Sequence, residues 1–171
     1  MNNNLDRLLE KIKEQADFID KLNQRSEFRY RSTQALVLEY GQPFTKKIKP
    51  PFKGKIKSCF ENCFKALWKY PNFYYCEGFA IDDELPLAVS HAWLINETVE
   101  VIDPTWTGEQ YKGSVYFGIV FDREFVFEFA RKIKHYGILD SDYMNDHQLQ
   151  REGFPPSALH PIFHSSTNVV E

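Results

Sequence analysis

HAWLINETVEVIDPTW, residues 91–106, is the stretch on which the reading of the chain turns. Val89 to Ile95 and Val99 to Asp103 are short runs rich in β-branched and aromatic residues, parted by Asn96-Glu97-Thr98. Such runs around a turn-forming triplet predict a β-hairpin. If residues 96–98 form the loop, positions pair symmetrically about Glu97 and His91 lies directly opposite Asp103. Directly opposed residues hold their Cβ atoms about 4.5–5.5 Å apart on one face. A carboxylate at that reach fixes an imidazole tautomer and stabilises its cation. A two-residue loop would send the two side chains to opposite faces, because strand side chains alternate. Pro104 stops the strand just after Asp103.

Upstream, Cys59, Cys63, Ala66 and Leu67 recur at helical spacing and the pattern ends before Pro71. Ser58 reads as the N-cap of this helix, with Glu61 completing a capping box. Cys59 then sits in a first turn, where free backbone N–H groups and the helix dipole favour a thiolate. Lys55 and Lys57 push the same way. The N–H of Cys59 is also a candidate donor to a developing oxyanion.

Around this core, Leu5, Leu8, Leu9, Ile12, Ala16, Ile19 and Leu22 predict an amphipathic helix of about five turns. A second helix is expected over residues 27–39, stopped by Gly41, then an irregular loop over 42–57. Strands are expected from Phe73 to Ile81 and from Tyr116 to Phe121. A helix capped by Gly137 is expected over 124–135, a short last helix over 141–151, and an irregular tail from Gly153. The fold class is α+β: an antiparallel sheet on the helix that starts at Cys59, with flanking helices at both ends. Residues 1–40 form a helical extension and 41–171 the core, within one compact domain of 171 residues.

Hydrophobic residues make up 43% of the chain, charged residues 26% and aromatics 16%, enough to bury a core that contains strands. The net charge of −3 is unevenly spread: residues 1–57 carry 13 Lys/Arg against 7 Asp/Glu, and 58–171 carry 8 against 17. Six lysines and no acid lie between Lys46 and Lys57. That segment reads either as a solvated loop or as a positive rim for an anionic partner. Three cysteines, Cys59, Cys63 and Cys76, argue against a disulfide framework. No signal peptide or membrane-spanning stretch is found, so a cytoplasmic protein with no membrane association is expected.

The runs CFENCF (59–64), YYCEGFA (74–80), HAWL (91–94) and VIDPTW (101–106) together resemble the transglutaminase-like branch of papain-fold thiol enzymes. They also resemble a narrower group of small bacterial and phage proteins, in which Gly-x-Pro-Phe precedes the cysteine and Tyr-Phe-Gly-Ile follows Asp-Pro-Thr-Trp; here these are residues 41–44 and 116–119. The resemblance spans about residues 40–121. It implies a papain-like core with Cys59 as nucleophile, His91 as base and Asp103 as orienting acid. It names no substrate, because the superfamily includes cross-linkers, peptidases, amide hydrolases, acyl transferases and members that have lost activity.

Other residues carry competing readings. Cys63 reads as packing on the same helix face as Cys59, and Cys76 as a buried strand residue. A zinc site from Cys59, Cys63, Cys76 and His91 fits no common spacing, so neither metal nor cofactor is expected. Asp103 is also suited to capping the turn at Pro104-Thr105. Gln42, Glu77, Trp93 and Trp106 are substrate or oxyanion candidates. Gln42 offers a side-chain amide. Glu77 either pairs with a lysine or points into the cleft, with the structural role favoured. Trp93 reads first as core, and Trp106 as a cleft wall. Two function classes follow. One is a hydrolase or acyltransferase acting on a protein, peptide or small amide or ester through a Cys59 thioester. The other is a catalytically silent binding protein using residues 46–57 and the N-terminal helix.

Overall fold

The computed structural model describes residues 3–24 and 27–164. The chain runs α1 (Asn3–Leu22), α2 (Thr33–Tyr40), β1 (Gln42–Phe44), β2 (Lys47–Ile48), α3 (Cys59–Lys69), β3 (Tyr74–Ile81), β4 (Val89–Ile95), β5 (Val101–Ile102), β6 (Val115–Val120), α4 (Arg123–Ile133) and α5 (Gln148–Glu152). The six strands form one sheet in the order β1-β6-β3-β4-β5-β2, antiparallel throughout except that β2 runs parallel to β5. The fold is therefore α+β, with a mixed rather than purely antiparallel sheet.

A short link dictates the shape of that sheet. β1 and β2 occupy its opposite edges, yet only Thr45 and Lys46 join them. Two linking residues span roughly 10 Å, so the sheet must curl until its edges approach. The concave side encloses Phe44, Cys76, Ala80, Trp93, Ile95, Val101, Tyr116 and Val120. The convex side is covered by helices through Leu8, Ile12, Leu36, Cys63, Leu67, Tyr75, Phe79, Leu94, Ile119 and Phe129 among others. β3, at the middle, is buried on both faces from Tyr75 onward, which is why its sequence lacks a polar alternation.

The concave side has room for Trp93 because two glycines face each other there. Gly78 pairs with Gly118 across β3 and β6. A Cβ on Gly118 would lie 2.4 Å from the Glu77 carbonyl oxygen and 2.7 Å from the Trp93 ring.

The helices form for local reasons. Leu8 and Ile12 bury one stripe of α1, and Asn4 and Arg7 tie it to the 82–85 turn through the Asp83 carboxylate and the Asp82, Asp83 and Leu85 carbonyls. Ser32 caps α2 by accepting from the Ala35 N–H at 3.0 Å, so this helix begins at Thr33 rather than near residue 27. Asp122 caps α4, accepting from the N–H groups of Glu124 and Phe125 at 3.0 and 3.1 Å.

Several sequence expectations require correction. Residues 42–57 are not wholly irregular: they contain β1 and β2, with Pro43 tolerated because β1 is an edge strand. Lys134, not Gly137, takes the left-handed position that ends α4. The helix expected over 141–151 is broken by left-handed Asp146 and His147 into a 3-10 turn (Asp142–Asn145) and α5. Among the described residues, no helix is long and apolar enough to cross a membrane.

The crowding at Gly118 gives a direct test of the curl. Gly118→Ala should destabilise the protein by about 2–3 kcal/mol, as overpacking does, and lower Tm by several degrees in a thermal melt. Gly108→Ala, whose new Cβ first meets the flexible end of the exposed Gln110 side chain, should change Tm far less. Equal effects at both positions would refute the packing of Gly118 beneath Trp93.

Candidate functional site

The β4–β5 hairpin differs from the sequence reading in register but keeps its parity. Leu94 pairs with Ile102 and Ile95 with Val101, so the loop is residues 96–100. Asn96 folds it up: its side-chain oxygen accepts from the N–H groups of Thr98 and Glu100 at 3.1 and 2.9 Å, and Val99 adopts φ 62°. The three-residue loop and the direct opposition of His91 and Asp103 are thus incorrect. The shift is two residues, so both side chains still share a face, diagonal rather than opposed. The imidazole spans the diagonal, and Nε2 of His91 lies 2.8 Å from Oδ2 of Asp103.

Asp103 is fully buried, and four donors meet its carboxylate. Oδ2 accepts from His91 and from the Tyr116 hydroxyl at 2.8 Å. Oδ1 accepts from the Thr105 and Trp106 N–H groups at 2.9 and 3.0 Å. Capping the turn and holding the histidine are therefore joint jobs, one per oxygen. Burial on its own would raise the pKa of Asp103; the His91 cation, the Trp106 N–H and the Tyr116 hydroxyl hold it down at about 2. Burial would likewise depress the imidazole of His91, but the Asp103 carboxylate, aided by the neighbouring Cys59, outweighs it and holds it up at about 9.

Cys59 neighbours His91 where the sheet leaves a gap. β5 covers only Leu94 and Ile95 of β4, leaving β4 without a neighbour on that side at His91. The start of α3 takes that place. It is fastened there by Asn62, whose amide donates to the Lys55 carbonyl at 2.8 Å and the Thr105 hydroxyl at 2.9 Å while accepting from the Lys55 N–H at 3.0 Å. The Gly54 N–H adds a 2.7 Å bond to the Pro104 carbonyl. With Nε2 engaged by Asp103, Nδ1 is the ring nitrogen left for the thiol. Cys59 retains 9% exposure against 3% for His91 and none for Asp103, so it is the most accessible residue of the three.

The expected capping box is absent. Ser58 makes no side-chain cap and its hydroxyl turns back to the Ile56 carbonyl at 3.4 Å, while Glu61 pairs with Lys65. The first helical bond is from Asn62 N–H to the Ser58 carbonyl, so the N–H groups of Cys59, Phe60 and Glu61 precede the ladder. Lys57, at φ 59°, makes the turn that aims them.

The secondary candidates separate. Trp106 stacks on His91 with ring centroids 4.3 Å apart and on Tyr111 at 4.9 Å, screening the His91–Asp103 pair from water. Trp93 is wholly buried inside the curl and offers no surface to a substrate. Gln42 donates its amide to the Phe163 carbonyl at 3.3 Å, so the side-chain oxyanion role lacks its geometry. Glu77 neither meets a lysine nor faces the cleft. It lies on the helix-covered face and accepts from Tyr75 OH (2.9 Å), Ile138 N–H (2.7 Å) and Asp140 N–H (2.8 Å). Burial raises its pKa to about 7, the three donors only moderating the rise. Cys63 and Cys76 are fully buried, which pushes both thiols well up. Among the described residues no cluster of three His, Cys, Asp or Glu side chains is arranged to hold a metal ion.

Sequence reasoning missed Asn62, Tyr116 and Lys47 as parts of this site. Asn62 left a trace, since an asparagine inside a helix is disfavoured unless its amide has work outside the ladder. Tyr116 reads from sequence as one more strand aromatic. No family model, no curated protein and no solved structure matches this chain.

The His91–Asp103 pair makes stability depend on pH. A histidine raised from 6.5 to about 9 contributes stability that is full below pH 6.5 and lost as pH rises through 9. Glu77, raised from 4.5 to about 7, contributes a decline at lower pH, between 4.5 and 7. Tm should therefore fall between pH 6.5 and 9, and Asp103→Asn should flatten that later segment while leaving the Glu77 segment. In the same variant the His91 ring-proton resonance should titrate at or below 6.5 instead of near 9. An unmoved midpoint would show that Asp103 does not set the imidazole.

Proposed function

We propose that this protein is a thiol enzyme of the transglutaminase-like, papain-fold kind, forming a thioester at Cys59 with amide or ester substrates. The observation that carries the reading is the His91 imidazole, bonded through Nε2 to the buried Asp103 carboxylate at 2.8 Å, with Cys59 as its neighbour on the other side. In the proposed reaction the His91 cation already carries on Nδ1 the proton given up by the thiol, and the sulfur attacks the carbonyl carbon. The oxyanion that develops is met by the uncapped N–H groups at the start of α3. The tetrahedral species then collapses, the C–N or C–O bond breaks, and His91 returns the proton to the leaving amine or alcohol. Water or an amine resolves the thioester by the same route, giving hydrolysis or acyl transfer.

The alternative of a silent binding protein has less support. The N-terminal helix turns Leu8 and Ile12 into the core. In the basic segment Lys46 pairs with Glu100 at 2.7 Å, and Lys47 binds the Trp106 and Tyr111 carbonyls at 2.8 and 3.3 Å.

Alkylation by iodoacetamide at about pH 6 tests the reading, because an ordinary thiol of pKa near 8.5 is largely protonated there. Cys63 and Cys76 are fully buried, so labelling of the folded protein reports on Cys59. Rapid labelling is expected, slowed about tenfold or more by His91→Ala. Slow labelling that ignores His91→Ala would remove the basis for a thiol enzyme.

A further inference from the structure

Beside Trp106 lies a groove of about 420 Å³, whose lining includes Lys47, Lys49, Trp106, Glu109, Tyr111 and Lys112. Trp106 is the shared wall: its ring stacks on His91 and its residue also lines the groove. The groove is positive. Lys112 is offset by Glu109 at 3.3 Å, whereas Lys49 is exposed and has no ion pair among the described residues. Lys47 is partly buried, and its amine gives two bonds to the Trp106 and Tyr111 carbonyls. That amine also lies 5.7 Å from the centre of the Tyr116 ring, so Lys47 lends the groove a fixed positive charge and Lys49 supplies the free ammonium. Tyr111, stacked on Trp106 at 10°, supplies an apolar wall beside the charge.

We infer that this groove is the specificity subsite of the Cys59 centre and that it takes acyl substrates carrying a small oxyanion group, a carboxylate in the simplest case. The inference rests on the acyl-thiol reading above. It also assigns a purpose to one lysine of residues 46–57: Lys46 and Lys47 are engaged within the fold, and Lys49 lines the groove.

Two activated esters test it, mono-4-nitrophenyl glutarate and neutral 4-nitrophenyl butyrate. With either, the Cys59 sulfur bonds to the acyl carbon, the aryl ester C–O bond breaks, 4-nitrophenolate leaves and the proton given up by the thiol stays on His91. Intact mass then shows a glutaryl or butyryl adduct. The glutarate ester should acylate about tenfold faster per molar through charge complementarity, and the preference should shrink as salt screens it. Lys49→Ala should bring the ratio near one and Lys49→Glu should invert it, while Lys132→Ala on α4 should leave it unchanged. Equal rates for the two esters, or a preference indifferent to Lys49, would overturn the subsite and leave the thiol enzyme standing. If neither ester labels Cys59, the acyl-thiol reading fails. The groove is then judged by titrating free glutarate and following the Trp106 indole N–H resonance. A saturable shift lost in Lys49→Ala supports an anion site, and no shift overturns it.

Discussion

A buried carboxylate sets the terms for the rest of the molecule. Asp103 has no exposure, and an ionised group in that position costs several kcal/mol unless it is paired and hydrogen-bonded. Its four donors come from three places: His91 on β4, Tyr116 on β6, and the backbone of residues 105 and 106. Only a sheet curled tightly enough to bring β6 across from the end of β5 collects them all. The two-residue link between β1 and β2, the facing pair of Gly78 and Gly118, and the stack of Trp106 on His91 all belong to that curl.

Glu77 is an instructive contrast. It too is buried and meets three donors, yet its pKa rises to about 7 while that of Asp103 falls to about 2. The difference is the partner's charge. Tyr75 and two peptide N–H groups are neutral and do not repay desolvation, whereas an imidazolium does. Glu77 therefore works as a structural tie that holds residues 138 and 140 to the convex side of the sheet. Asp103 stays ionised beside the imidazolium it stabilises.

Much of this was legible because hydrophobic spacing and strand parity are local properties. The stripe of α1, the face of α3 carrying Cys59, Cys63, Ala66 and Leu67, and the runs of β3, β4 and β6 all follow from side-chain periodicity. His91 and Asp103 were placed on one face even though the loop was misjudged, because a shift of two residues preserves parity. The loop itself was not legible: Asn96 closes five residues through bonds to Thr98 and Glu100, and a turn triplet does not reveal which residues its side chain will reach. The capping box failed for a similar reason, since Glu61 found Lys65 one turn along the helix instead of reaching back to Ser58.

What the sequence determined by itself is therefore the elements, their buried faces and a candidate Cys, His and Asp in the right order, since each depends on residues a few positions apart. Everything that turns those three residues into one site was decided by tertiary structure. The short β5 opens the β4 edge to α3, Asn62 and Gly54 pin the helix start to the 104–105 turn, and Tyr116 on β6 and Lys47 on the edge strand β2 arrive from opposite halves of the sheet. These are contacts between residues far apart in the chain. They exist because burying one charged carboxylate required the sheet to close around it.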